Sequence, residues 1–224
     1  MNIKEFKKYR IEGRKKLLSK ILEVFKKLNP VAIHQFGSGA TDYKDEFSDI
    51  DILITFKDSE IENVLPKLNR IFKNIAPVLV KHHSKSFSPT RGSATQIIHE
   101  TSFGLFQVDY YISKDLKVVI KPNKNIKEPH TLKKDINLLL CLIFISVKGI
   151  IRKWDSPDFV NNLKIVHQKF RKRHRNKIRR RKITLSFKFN YKLLFDLYPI
   201  ANQKQKKAIL KIKDYLTQVE KIYP

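Results

Sequence analysis

The chain has 224 residues, 42% of them hydrophobic, which is enough for one large domain or two small ones around a true core. Forty-seven Lys and Arg against 21 Asp and Glu give a net charge of +26, an excess that repels itself and attracts polyanions. The lone Cys141 excludes an internal disulfide, and Leu138–Val147, the most apolar run, is about half the roughly 20 residues that span a bilayer.

Residues 3–28 carry Phe6, Leu17, Leu18, Ile21, Phe25 and Leu28 at helical spacing, and Asn29-Pro30 stops the helix. A strand over 31–36 then reaches Gly37-Ser38, where a turn can hand over to the free N–H groups of a short helix from Ala40 to about Lys44. A second strand over 50–56 follows. In it Ile50, Ile52 and Ile54 share one face, while Asp49, Asp51, Leu53 and Thr55 share the other.

Ser59 with Glu62 has the spacing of a capping box, and Ile61, Leu65, Leu68, Ile71 and Phe72 continue that helix. Pro77 introduces a strand at 78–83, and strands near 94–99 and 105–112 are joined by a short loop over 101–104. Beyond Pro122 and Pro129 the pattern is helical: Leu132 to about Lys153, a helix capped by Ser156 with Pro157 in its first turn, then 191–198 and 203–222. The expected fold is α+β, a small mixed sheet with helices on one face followed by an all-helical C-terminal region. The expected domains are 1–125 and 126–224.

Two carboxylates one residue apart on a strand, Asp49 and Asp51, can grip divalent cations together, and the Gly37-Ser38 turn can cradle phosphates. Gly37-Ser38, ten residues, then Asp49-Ile50-Asp51, with Ser48 before the first Asp, resembles the signature of the polymerase-β-like nucleotidyltransferase superfamily. That superfamily includes antibiotic adenylyltransferases, poly(A) and CCA-adding polymerases, oligonucleotide cyclases and nucleotidyltransferase toxins. Its third carboxylate lies between apolar residues on a later strand, a position that Asp109 in Val108-Asp109-Tyr110 fits. The resemblance covers roughly residues 31–112.

It implies an Mg²⁺-dependent enzyme, with Mn²⁺ as the alternative, that moves a nucleoside monophosphate from an NTP, expected to be ATP, to an acceptor hydroxyl. Asp49, Asp51 and Asp109 would be the catalytic metal ligands, and Asp109 would serve as base where one metal binds. Gly37, Ser38 and Gly39 would hold the phosphates, with Ser48 either beside them or capping the turn into the strand.

The acceptor stays open between two classes. A small molecule would meet the acidic loop Asp42, Asp45 and Glu46. RNA would meet the tract 164–182, which holds eleven Lys and Arg and no acid, including Arg171, Arg173, Arg175, Arg179, Arg180 and Arg181. Aromatic residues flank this tract without interleaving, which favours backbone contacts over base stacking. A solvated basic face, a toxin-type enzyme and a non-catalytic nucleic-acid-binding relative are the other readings. A cytoplasmic protein with no membrane role and no disulfide-linked partner is expected.

Overall fold

A computed structural model describes residues 1–37, 45–84, 92–114, 130–153 and 157–224. The chain divides into two compact units, Met1–Pro129 and His130–Pro224. The expected helix at 40–44, the boundary near 125 and the cap at Ser156 lie outside the described residues. Among the described residues no helix is long and apolar enough to cross a membrane.

In the first unit, α1 (Ile3–Lys26) leads to β1 (Ala32–Phe36) and β2 (Ile50–Thr55). Then come α2 (Asp58–Val64), α3 (Leu68–Ile75), β3 (Val78–Ser84), β4 (Gly92–Thr101) and β5 (Gly104–Ser113). The strands form one sheet in the order β1-β2-β5-β4-β3, with β2 parallel to β5 and the other pairs antiparallel. Register fixes which residues share a face. Ile50 pairs with Val108, Ile52 with Tyr110 and Ile54 with Ile112, and all six are buried against Leu17, Ile21 and Phe25 of α1 and Ile71 and Phe72 of α3. The alternate positions, Asp51 opposite Asp109 and Leu53 opposite Tyr111, turn to the other face.

Several boundaries differ from the sequence reading. The helix after β2 starts at Asp58 with Lys57 as its cap and no side-chain capping bond, so Ser59 sits inside it and the expected capping box is not formed. Its expected continuity breaks at a 3-10 turn over Leu65–Lys67, because Pro66 lacks an N–H and its ring crowds the preceding turn. α1 stops at Lys26, and Asn29 adopts φ +50° to turn the chain into β1. At Gly13 α1 approaches the β4–β5 hairpin closely: a Cβ there would lie 2.7 Å from the Phe106 ring and would also strike Phe103. Arg10, one turn earlier, lies 3.8 Å above the Phe106 ring and donates to the Leu105 carbonyl.

His99 on β4 is fully buried between the Ala76 carbonyl, 3.1 Å from Nδ1, and the Tyr110 hydroxyl, 3.0 Å from Nε2. A neutral imidazole satisfies both partners, donating to the carbonyl and accepting from the hydroxyl. Burial lowers the His99 pKa to about 4. As pH falls below about 6.5 the unfolded chain therefore binds a proton that the folded chain refuses, and stability drops. Between pH 7 and 4.5 the wild type should lose about 2 to 3 kcal/mol more stability than His99→Gln does. Urea unfolding of both proteins at the two pH values checks this, and parallel losses would contradict it.

The second unit holds α4 (Leu132–Ile151), α5 (Pro157–Arg173), α6 (Phe187–Leu197) and α7 (Gln203–Ile222). Thr131 caps α4 by accepting from the Lys134 N–H at 3.3 Å. α6 begins four residues before the expected 191, because the Ser186 hydroxyl accepts from the Phe189 N–H at 3.2 Å. Its buried core combines Ile136, Leu140 and Ile143 with Phe170, Leu193, Leu197, Ile212 and Leu216, and Cys141 is buried among them.

Candidate active site

The face of the sheet opposite α1 and α3 gathers the expected acids. Asp49 immediately precedes β2, Asp51 lies on it, and Asp109 is opposite Asp51 on the neighbouring parallel strand. One carboxylate oxygen from each can be chosen so that all lie within 4.8 Å of one another. Such closeness is costly for three ionised groups, since their charges repel and Asp109 is buried. A cation offsets that repulsion. An all-oxygen set of hard ligands fits Mg²⁺ or Mn²⁺ rather than a thiophilic metal.

The neighbours of Asp109 were not singled out from sequence. Gln96 on β4 donates to its Oδ2 at 3.2 Å, and Gln107 donates to its Oδ1 at 3.0 Å. Gln96 lies opposite Asp109 in the β4–β5 register and Gln107 lies two residues before it on β5, so both are on the carboxylate face. These amides hold both oxygens of the side chain. Phe36 pairs with Asp51 across β1–β2, and its ring meets Tyr111 edge-on at 5.0 Å, which gives the face an aromatic border. The Tyr111 hydroxyl is pushed well above the ordinary tyrosine pKa, first by burial and then by the charges of Asp109, Asp51 and Asp49. It stays protonated.

Gly37 follows β1 with φ +61°, and a Cβ built there would run into a carboxylate oxygen of Asp51 and lie 3.1 Å from its Cγ. Glycine is thus required twice, for the turn and for the approach of backbone to carboxylate. Gly37→Ala should lower turnover by about 10- to 100-fold by displacing Asp51. Its thermal midpoint should fall modestly, by the roughly 1 to 2 kcal/mol that a left-handed backbone costs a residue with a Cβ. Rate and melting measured on the same preparation check this, and an unaltered rate would count against it. Ser38, Gly39 and Asp42 lie outside the described residues.

The turn that delivers Asp49 is bolted to α1. Arg14, itself buried, donates to the carbonyls of Asp45 at 2.7 Å and Ser48 at 3.4 Å. Phe6 and Phe47 rings lie 5.9 Å apart, and Lys7 pairs with buried Glu46 at 3.8 Å. Asp45 accepts from the Phe47 N–H at 2.9 Å, closing an Asx turn. Ser48 is buried with its hydroxyl 3.5 Å from Asp45 Oδ1. Asp45 and Glu46, read from sequence as part of an acceptor loop, are engaged in this local packing.

The six arginines of the basic tract do not share one helix face. α5 ends at Arg173, Arg175 and Asn176 take positive φ, and residues 177–184 run on without regular structure. Buried acids from elsewhere in the unit hold part of it. Asp196 of α6 receives a two-pronged contact from Arg181, Nε and Nη2 each at 2.9 Å, and the Arg179 N–H at 3.3 Å. Asp135 of α4 lies 3.5 Å from Arg173 Nη1 and 2.8 Å from His174 Nε2. Arg171 Nε donates to the Ile178 carbonyl at 3.1 Å. Arg175, Arg179 and Arg180 are exposed.

Among solved structures, the chain is similar to the polymerase core of TRAMP, an RNA surveillance complex, at 19% identity and a TM-score of 0.36. It is also similar to a chain of the GLD-2/RNP-8 complex, at 12% identity and a TM-score of 0.31. The two matches cover 91% and 90% of this chain, against 56% and 81% of those chains. The chain therefore spans little more than half the length of the TRAMP polymerase. No curated protein matches it. A family model described as a nucleotidyltransferase domain matches residues 18–216, across both units, and on that match the chain belongs to the nucleotidyltransferase domain family.

Proposed function

We propose that this chain is an Mg²⁺-dependent nucleotidyltransferase, with Mn²⁺ able to replace Mg²⁺, that moves a nucleoside monophosphate from an NTP, ATP in the first instance, to an acceptor hydroxyl. The observation that carries the reading is the convergence of Asp49, Asp51 and Asp109 on one sheet face beside the Gly37 turn. Mg²⁺ held by these carboxylates would supply positive charge to the phosphate oxygens as negative charge builds up on them.

The chain's own residues do the rest. Asp49 and Asp51 fix the nucleotide side of the site, and the backbone after β1 at Gly37, continuing to Ser38 and Gly39, would receive the β- and γ-phosphates. Ser48 stiffens the approach to Asp49. Asp109, oriented by Gln96 and Gln107, takes the acceptor proton as the hydroxyl oxygen attacks the α-phosphorus. The new bond joins that oxygen to phosphorus, and the bond from phosphorus to the bridging oxygen breaks. Pyrophosphate leaves with the bonding pair.

The small-molecule and RNA readings of the acceptor differ in what they require. The engagement of Asp45 and Glu46 in the turn before β2 leaves less acidic surface for a cationic small molecule. The direct test is incubation with each labelled NTP and Mg²⁺ against total RNA, and separately against an aminoglycoside and lincosamide panel. Label transfer that EDTA abolishes is expected. No transfer from any NTP with either metal to any acceptor would overturn the assignment.

A further inference from the structure

Within the second unit, a groove of about 850 Å³ runs between α5 and the extended segment after it, lined chiefly by Lys164, His167, Arg171, Arg180, Arg181 and Lys182. No acid lines it. Arg181 is committed to Asp196, and Arg171 uses Nε on the Ile178 carbonyl. Lys164, Arg180 and Lys182 are exposed, and none has a carboxylate within 4.0 Å among the described residues. Three cations without a carboxylate partner among the described residues line one groove, and a phosphate backbone carries the complementary charge.

His167 gives the groove a second chemistry. It is only 2% exposed, and its Nε2 has no hydrogen-bond partner among the described residues. With its proton on Nδ1, the neutral ring would keep Nε2 as an acceptor. Burial and the nearby Arg171 and Arg181 lower its pKa, which keeps it neutral. A buried acceptor among cations is badly matched to a phosphate oxygen. It is matched to a hydroxyl on the molecule whose phosphates the cations hold, which reaches Nε2 once the ring turns toward the groove, because the atom is closed to solvent as it stands.

Across the same segment, on the α6–α7 side, lies an apolar groove of about 750 Å³ with Phe195 and Tyr198 in it and Arg179 and Arg181 at its edge. Phe195 is 71% exposed. In the sequence Phe170, Phe187 and Phe189 flank the basic tract, and the fold sets Phe195 and Tyr198 beside it. An exposed ring and a cationic edge suit a stacked base.

We propose that this double groove binds single-stranded RNA: Lys164, Arg180 and Lys182 hold phosphates, His167 Nε2 accepts from a ribose 2′-hydroxyl, and Phe195 stacks a base. DNA lacks the hydroxyl, and a duplex hides its bases. The inference rests on the transferase reading only in making the bound strand the class of acceptor; binding is independent of catalysis.

The test uses the whole chain in EDTA without nucleotide, and a labelled single-stranded RNA of about 12 nucleotides read by anisotropy at several salt concentrations. DNA of the same sequence and the RNA duplex serve as comparisons. Single-stranded RNA should bind tightest. Lys164→Gln, Arg180→Gln and Lys182→Gln together should reduce the salt slope by about 2. Phe195→Ala should weaken RNA and DNA alike by about tenfold or more.

His167→Leu should erase the preference for RNA over DNA, and His167→Gln, whose amide oxygen can also accept, should restore part of it. Because His167 is buried, the exposed triple variant and Phe195→Ala decide the matter if either His167 variant melts early. Equal affinity for RNA and DNA, tighter duplex binding, or an unchanged salt slope in the triple variant would overturn the proposal. Binding that persists in a protein without transfer activity would count against the transferase reading alone. Lost RNA binding with intact transfer to a small acceptor would count against this inference alone.

Discussion

Asp49→Asn and Asp51→Asn are each expected to lower nucleotidyl transfer by about 100-fold or more, with the fold intact. Asparagine keeps the shape of aspartate and removes its charge, so no cavity opens at the end of β2. Asp51 is the more sensitive of the two. It sits directly opposite Asp109 in the parallel pairing of β2 with β5, and the Gly37 backbone approaches its carboxylate. Each substitution also relieves repulsion among the three acids, so the thermal midpoint should hold or rise slightly in the absence of metal. Raising Mn²⁺ or Mg²⁺ should recover little of the rate, since the missing charge is needed as the transferred phosphate gains its own. Transfer is read by label incorporation under single-turnover conditions beside a melting curve. Full activity in either well-folded variant would remove the carboxylate cluster from the mechanism.

The acids on β2 were legible because their spacing matches the two-residue period of a strand, with Ile50, Ile52 and Ile54 marking the buried face. Asp109 was legible because a single acid stands in an otherwise apolar strand. The α+β class followed from the same alternation of periods. What stayed hidden depends on pairing between distant segments. Gln96 reaches Asp109 only through the β4–β5 register, and the Phe36–Tyr111 contact needs β1, β2 and β5 side by side. Arg14 looks like one more cation on an amphipathic helix, yet it is buried and holds the turn before Asp49.

The partners of the basic tract were hidden in a related way. Its run contains no acid, but Asp135 and Asp196 arrive from α4 and α6 and take up Arg173 and Arg181. Substituting Arg179, Arg180 and Arg181 together would therefore mix lost surface charge with an unpaired buried carboxylate. Local signals also failed where a competing one went unread: Pro66 interrupts the helix after β2, and Ser186 starts α6 earlier than its apolar spacing suggests.

Asp109→Asn should cut turnover by on the order of 100-fold or more while weakening NTP binding far less, and that separation is what distinguishes its role from those of Asp49 and Asp51. If Asp109 takes the acceptor proton, its contribution develops only as the hydroxyl attacks, so removing its charge leaves the bound nucleotide largely undisturbed. The hydrogen-bonding surroundings sharpen the choice of variant. Gln96 and Gln107 both donate to the carboxylate, so an asparagine at 109 turns one donor toward another, whereas Asp109→Ala leaves both amides without their acceptor in a largely buried place. The Asn variant, which keeps an acceptor for one amide, should melt less far below the wild type than the Ala variant, while both are equally inactive. Matching losses of turnover with different melting points would tie the defect to the lost carboxylate rather than to unfolding. Turnover measured beside a direct NTP titration in Mg²⁺ checks the first part. A variant that binds NTP poorly and turns over normally at saturation would place Asp109 on the nucleotide side instead.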